Sequence, residues 1–444
     1  MDYMQKLNTV RFLNMQNWSI LSHLTVANYQ SKHKHIKIRA FLKRIKESVV
    51  IQDDVYYKRA TIKINNGGAF LRDTVLGKNI GTKNQFIIKK GQLLLSKIDA
   101  RNGAFGIVPE ELDNGVITGN FWTYEIDTTK IFPQILSNIL SSKRFQEIWE
   151  ACSNGTTNRH YLQEADFLNT SIPVPSLSEQ AEILAVYNSK MAEANAMQYK
   201  HSYNEIENEI EKYLQLQAYA NIDSNENLSF INYSDCLTWD VRNKQQRVFI
   251  SSKYKQQALS KVAQINPTIR KNILDEEDVS FIPMECVSDL DGEVKEKRSC
   301  KASAKGFTKF EEGDIIWAKI TPCMQNGKSA IVRGLTNGIG YGSTEFYVIR
   351  VNETVVVPEY IYYLLRMHRV RETAVNHFSG SAGQQRVRKS FLEELSIPVP
   401  SLEEQKVLVS TLNNIKREII TNRTRTEELI CQAKQNFEKA IFGE

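Results

Sequence analysis

The stretch Ser171-Ile172-Pro173-Val174-Pro175-Ser176-Leu177 returns as Ser396-Ile397-Pro398-Val399-Pro400-Ser401-Leu402. In both copies a Glu-Gln pair follows after one variable position, as Glu179-Gln180 and Glu404-Gln405. Nine matches in ten positions at an offset of 225 residues make this an internal repeat, so the chain is two halves. Each copy reads as a stop followed by a start. The prolines fix φ and push the residues before them into extended backbone, so nothing upstream runs on as helix. Ser176-x-x-Glu179 and Ser401-x-x-Glu404 then read as capping boxes, in which the serine oxygen accepts from the N3 amide and the glutamate reaches back to the N-cap amide. A long helix is expected to begin at each.

Downstream of each start, apolar residues recur at spacings dominated by three and four. They are Ile183, Tyr187, Met191, Ala194, Ile206, Ile210, Tyr213 and Leu214 in a first helix through about residue 220. In a second they are Leu408, Leu412, Ile415, Ile419, Ile430, Ala433, Phe437 and Ile441. A stripe this narrow on a helix of about 40 residues, roughly 60 Å long, calls for a partner helix, and the nearest candidate is its own repeat. The two should pair antiparallel, because each follows a bulky domain and the chain must travel back to begin again. Asn422 and His201 fall at seam positions; they either set the register or are simply solvated. The expected product is a rod with one globular domain near each end, related by a pseudo-two-fold axis.

Upstream, residues 1–17 carry few signals and read as a lead-in. The first half starts at Asn17-Trp18-Ser19-Ile20, which matches Thr238-Trp239-Asp240-Val241 at an offset of 221. Short β-rich runs at 61–64, 92–98, 104–108 and 121–126 are separated by Gly and Asn clusters. A helix follows, opened by Pro133 and carrying Ile135, Leu136, Ile139, Leu140, Ile148 and Trp149 on its apolar side. In the second half Gly313 and Lys319 answer Gly91 and Lys97 at 222. Pro358 answers Pro133 and opens a helix through about residue 375, and Gly380 answers Gly155, both at 225. The intervening loops differ freely, so that 99–105 bears no likeness to 321–327.

Composition bounds the answer. A chain of 444 residues exceeds one ordinary core, and 41% hydrophobic with 24% charged residues is usual for a soluble globular protein. No apolar run approaches a membrane span, and residues 1–10 lack the apolar core of a signal peptide, so a cytoplasmic location is expected. The six cysteines are scattered, with no pair at metal-ligand spacing. A net charge of +6 is mild over this length and alone favours nucleic acid only weakly.

Two similar but non-identical faces held at a fixed separation fit a target made of two short elements at a fixed distance. B-DNA is such a target, because equivalent groove faces recur about every 34–36 Å. At this point the sequence resembles a known family. The order of globular domain, Ile-Pro-Val-Pro-Ser-Leu-x-Glu-Gln helix, globular domain and the same helix again looks like the specificity (S) subunit of Type I restriction–modification systems. Glu312-Gly-Asp-Ile-Ile-Trp-Ala-Lys-Ile-Thr-Pro-Cys323, Gly380-Ser-Ala-Gly-Gln-Gln-Arg386-Val387 and Ile98-Asp-Ala-Arg-Asn-Gly-Ala-Phe-Gly106 look like the family's target-recognition domains.

The resemblance implies an α+β fold, with two target-recognition domains at 1–172 and 223–396 and spacer helices at 173–222 and 397–444 forming an antiparallel coiled coil. It implies a non-catalytic subunit that reads a split, asymmetric site in double-stranded DNA. The partners implied are two adenine-N6 methyltransferase subunits and ATP-driven restriction subunits, with no membrane. S-adenosylmethionine, ATP and Mg are expected on those partners and no cofactor on this chain.

Residue types that suit base edges and phosphates cluster in the Gly-rich loops. The candidates are Arg59, Lys97, Arg101, Asn102, Asn158 and Arg159 in the first domain. In the second they are Lys319, Gln325, Asn326, Lys328, Gln384, Gln385, Arg386 and Arg388. Arginine is the usual bidentate partner of guanine, Asn and Gln of adenine, and lysine more often neutralises phosphate. Lys97 and Lys319 occupy equivalent strand ends, so a structural or phosphate role common to both domains is expected. Residues that differ between the halves are better placed to discriminate.

Catalytic constellations fail on inspection. Gly327-Lys328-Ser329 lacks the glycine a P-loop needs five positions before its Gly-Lys pair, where Pro322 stands, and a hairpin turn at Asn326-Gly327 is expected instead. Asn266-Pro267-Thr268-Ile269 lacks the second proline and the aromatic of an adenine methyltransferase. Glu293-Val294-Lys295, with Asp275 or Asp278, has the form of a nuclease metal site but lies in a charged stretch, 289–298, that reads as an exposed hairpin. Seven histidines show no zinc pattern. Two rivals stay open: a nuclease with a built-in recognition module, which would cut alone with metal, and a coiled-coil adaptor, which predicts no salt-dependent DNA binding.

Overall fold

The computed structural model describes residues 31–154, 161–198, 203–217, 248–251, 253–380 and 384–443. The matched tetrapeptides at Asn17 and Thr238, together with Gly155, His201 and Cys236, lie outside the described residues. The chain forms two compact units, Met1–Ala196 with Arg425–Glu444 and Met197–Thr424.

In the first unit, strands Leu42–Ile45, Phe121–Ile126, Leu93–Ser96 and Phe105–Ile107 form an antiparallel sheet in that order. A second sheet orders Glu47–Val50, Asn84–Ile88, Gly115–Ile117, Tyr56–Lys63 and Gly68–Leu76. The run Leu93-Leu94-Leu95 explains how the two layers meet. Leu93 and Leu95 pack among Ile135, Leu136 and Ile139 of the helical layer, whereas Leu94 packs with Ile88, Val108 and Ile117 under the second sheet. An unbroken apolar run is what a strand covered on both faces requires.

The second unit repeats this design. Strands Ala263–Ile265, Phe346–Val351, Ile315–Ala318 and Ser329–Ile331 form the first sheet in the same order. Ile315 and Trp317 face the helices while Ile316 and Ala318 face the other layer. Its second sheet, Arg298–Lys301, Asp278–Ile282, Ile339–Gly342 and Thr308–Glu311, matches that of the first unit without the outer strand Glu47–Val50. Each contains one parallel pairing, Tyr56–Lys63 with Gly115–Ile117 and Asp278–Ile282 with Ile339–Gly342. The turn entering the central strand is also repeated: Gly91 and Gly313 have φ +82° and +85°. The next side chain accepts the amide three residues back, Gln92 from Lys89 at 2.9 Å and Asp314 from Glu311 at 2.7 Å.

The long helices expected behind Pro133 and Pro358 are each two short ones. Pro133–Leu140 is followed by Lys143–Ala151, because Ser142 turns extended and its hydroxyl accepts the Phe145 amide at 3.2 Å as an N-cap. The turn lets Trp149 stack on Phe167, with ring centroids 5.2 Å apart. Pro358–Arg366 is followed by His368–Val375, broken at buried Met367 with ψ 142°.

The repeated motif is strand, then cap, then helix. Ser171–Val174 pairs with Lys34–Lys37 and Ser396–Pro398 with Gln256–Ala258. The capping boxes form identically: the Ser176 amide donates to Glu179 at 3.0 Å and the Ser401 amide to Glu404 at 3.0 Å. The reciprocal bond to each serine oxygen is 3.4 Å. Helices then run over Leu177–Gln198, Tyr203–Leu214 and Leu402–Phe442. The second of these stops at Leu214 rather than near 220, because Gln215 enters the left-handed region at φ 48°.

Within the first unit Leu177–Gln198 runs antiparallel to residues 425–442, with the Tyr187 ring 5.8 Å from Phe437 and Lys190 Nζ 3.3 Å from Gln432 Oε1. Within the second, Tyr203–Leu214 runs antiparallel to residues 402–424. Ile206, Ile210 and Leu214 share a core with Leu408, Leu412 and Ile419, and the Tyr213 hydroxyl donates to the Glu404 carbonyl at 3.1 Å. Asn422 is half-buried on this helix.

Candidate nucleic-acid interface

In the second unit, Lys319 leaves the end of strand Ile315–Ala318 and is laced into a ladder by its backbone. Its amide donates to the Glu345 carbonyl at 2.9 Å, and its carbonyl accepts the Val387 amide at 2.9 Å. The Thr321 amide donates to the Gln385 carbonyl at 3.0 Å, and Ile320 bridges Arg386. This brings Lys319, Gln384, Gln385 and Arg386 together. Arg386 Nε and Nη2 fork onto the Glu345 carboxylate, at 2.9 and 2.7 Å, and this guanidinium holds the Glu345 carboxyl below the usual range. The Lys319 ammonium lies 5.2 Å from the centre of the buried Tyr347 ring.

The other candidates of this unit divide. Gln325 stays in the same loop, where its Oε1 accepts the Thr321 hydroxyl at 2.5 Å and its carbonyl accepts Arg371 Nη1 at 2.8 Å. Asn326 instead lines a cavity of about 170 Å³ with Tyr203, Glu207 and Tyr362. Lys328 donates to the Met284 carbonyl at 3.1 Å, an architectural contact, and Arg388 is exposed. No two-residue turn forms at Asn326-Gly327. The connection is residues 319–328, wound through helical turns such as the Lys328 amide to the Cys323 carbonyl at 3.0 Å, with Gly327 at φ +80° closing it.

The first unit builds the same ladder from different side chains. The Lys97 amide donates to the Asn120 carbonyl at 3.0 Å and its carbonyl accepts the Leu162 amide at 2.8 Å. The Lys97 ammonium lies 5.6 Å from the Trp122 ring centre. Burial, then the neighbouring charge of Arg44, lowers its pKa. Arg44 also covers Trp122 and bonds Glu164 at 2.5 Å, and Glu164 accepts the Tyr124 hydroxyl at 2.9 Å. Arg101 and Asn102 sit on the short turn that follows Lys97, and the Asn102 carbonyl accepts the Asn65 amide at 2.6 Å. Arg59 lies on the second sheet, where its fork is taken by Asp73 at 2.7 and 2.6 Å. Asn158 and Arg159 lie outside the described residues.

Three residues of the nuclease reading are held in ion pairs: Glu293 with Lys416 at 2.9 Å, Lys295 with Asp291, and Asp278 with Lys301 at 3.0 Å. The hairpin at 289–298 is not wholly exposed. Asp291 and Gly292 are buried, and their carbonyls accept the Tyr362 hydroxyl at 3.1 and 3.0 Å. Among the described residues no group of three His, Cys, Asp or Glu is placed to hold a metal ion, and no helix is long and apolar enough to cross a membrane.

A family model for the type I restriction modification DNA specificity domain matches the chain twice, over residues 37–208 and 251–430, more than half of its length. The chain belongs to this family. The first match takes in one ladder and the motif-capped helix behind it, the second the other ladder and its helix as far as residue 430. Among curated proteins this type I specificity-domain chain is similar to the type I restriction enzyme EcoAI specificity subunit of Escherichia coli. It is 36% identical over 184 residues, covering 39% of this chain and 31% of that protein. To the EcoEI specificity subunit of Escherichia coli it is 39% identical over 162 residues, covering 35% of this chain and 27% of that protein. The matches thus span less than a third of either relative's length. A solved chain, from work on complex assembly and conformational transition of the type I R-M system, is 15% identical. It aligns with a TM-score of 0.52 over 93% of this chain and 98% of its own, a likeness of fold.

Within this type I specificity-domain fold, sequence reading missed Glu345, Tyr347, Arg44, Trp122 and Glu164. Trp122 and Tyr347 were within reach, since they stand at the repeat offset of 225 and are aromatic in both halves. Glu345 and Arg44 gave no such signal, because their counterparts across the repeat are chemically unlike them.

Proposed function

We propose that the chain is the DNA-specificity subunit of a type I restriction–modification assembly, each unit reading one half of a bipartite site in double-stranded DNA. One observation carries this reading. The same backbone ladder is built twice, with a lysine over an aromatic ring common to both (Lys97 on Trp122, Lys319 on Tyr347), while the flanking positions change from Asn120 and Tyr161 to Glu345 and Arg386. A constant frame with a lysine for phosphate and variable side chains for base edges is what two unlike short tracts of duplex require.

The spacer helices then set the distance between half-sites and, with the domain flanks, dock two adenine-N6 methyltransferase subunits, to which restriction subunits add. S-adenosylmethionine, ATP and Mg act on those partners, the chain itself is non-catalytic, and the assembly works in the cytoplasm. The test is to exchange residues 223–396 for the corresponding domain of a relative, reconstitute the methyltransferase, and map methylated adenines by single-molecule sequencing. One half of the recognised sequence should change. Alteration of both halves, or of neither, counts against the reading.

A further inference from the structure

Arginine carries five N–H donors in a planar fork. In Arg386 three are engaged among the described residues. Nε and Nη2 face the Glu345 carboxylate, and Nη1 donates to the Gln384 carbonyl at 3.0 Å. One donor remains on each terminal nitrogen, and two parallel donors at the end of the fork match the O6 and N7 acceptors that guanine shows in the major groove. The side chain is 41% exposed and Glu345 22%, so the guanidinium is held by Glu345 yet still reaches solvent. The Arg386 backbone is fixed as well, by its pairing with Ser379 and its bridge to Ile320. In the first unit the same two ladder positions are Asn120 and Tyr161, which cannot form such a pair.

We infer that Arg386 reads a guanine in the half-site of the second unit and that Glu345 is its positioning residue, clamping the guanidinium so that only the guanine-matching edge faces outward. This rests on the DNA-specificity reading above and deepens it. A guanidinium held before binding loses less rotamer freedom on contact, which is why such a clamp sharpens discrimination.

The test uses the full chain reconstituted with its methyltransferase subunits, with DNA binding scored on a library randomised through both half-sites at two salt concentrations. Arg386→Lys keeps the charge and loses the fork. It should assemble, keep its salt-dependent non-specific affinity, and lose about ten-fold discrimination for guanine at one position of one half-site. Glu345→Gln should weaken preference at that same position by a smaller factor and leave the other half-site unchanged. A thermal melt of each variant complex shows that the fold is retained. Wild-type preference at every position in Arg386→Lys, or an equal loss over all sequences, overturns the guanine contact. Wild-type preference in Glu345→Gln overturns the positioning role. An unmutated complex with no sequence preference would overturn the specificity reading itself, a separate outcome.

Discussion

Gln405 accepts the Val357 backbone amide on its side-chain oxygen at 2.9 Å, while its Nε2 donates to the carbonyls of Val355 at 3.0 Å and Pro400 at 2.9 Å. Gln180 does the same for Phe132 at 2.8 Å, Lys130 at 2.9 Å and Pro175 at 3.0 Å. Both side chains are fully buried, so one amide fastens the first turn of each spacer helix to the loop that opens the helical layer. Replacing Gln405 with Ala strands an amide and two carbonyls away from water. It should cost about 3 kcal/mol of stability, read as a lower denaturant midpoint of the second unit.

The capping glutamates give a pH dependence. Hydrogen bonds from Ser401 hold the Glu404 carboxyl below the usual glutamate range, and Ser176 does the same for Glu179. A depressed folded pKa means stabilisation that is present above the unfolded value and lost as pH falls through the folded one. Ser401→Ala should therefore lower the melting temperature most at neutral pH. The gap to the unmutated chain should shrink below about pH 4, followed by helical circular dichroism.

Arg350 forms a buried network, with Nε and Nη2 on Asp314 at 2.7 Å each and Nη2 on Glu311 at 2.8 Å. Asp314 is only 2% exposed. Asp314→Ala removes one of the two counter-charges and also the acceptor of the Glu311 amide, leaving the buried guanidinium with Glu311 alone. A loss of about 2–3 kcal/mol is expected in chemical denaturation, from the unsatisfied Glu311 amide and the two lost bonds to the guanidinium.

If the helix Leu402–Phe442 acts as a ruler, removing two turns, about seven residues and about 10 Å of rise, alters the spacing of methylated half-sites or abolishes assembly. Methylation at an unchanged spacing would show that the distance is set elsewhere.

The repeat, the capping boxes and the central strands were legible because each is written in local chemistry. Proline stops a helix, serine and glutamate start one, and an unbroken run such as Leu93-Leu94-Leu95 demands cover on both faces. The helix breaks at Ser142 and Met367 were not. A periodic apolar face continues through both, and what marks the first turn is the Ser142 cap on the Phe145 amide, with Trp149 stacked on the distant Phe167. Lys97 and Lys319 were placed correctly at equivalent strand ends, but exposed Asn326 lines a separate cavity and half-buried Lys328 is drawn to the Met284 carbonyl, so neither joins the ladder.

By itself the sequence determined that the chain is one design written twice and where each copy stops and restarts, since those signals act within a few residues. Only the tertiary structure decided which polar side chains meet. Glu345 and Arg386 lie 41 residues apart, and they meet because two strands are laced to opposite sides of Lys319. Such pairings depend on register across the fold, which spacing along the chain does not encode.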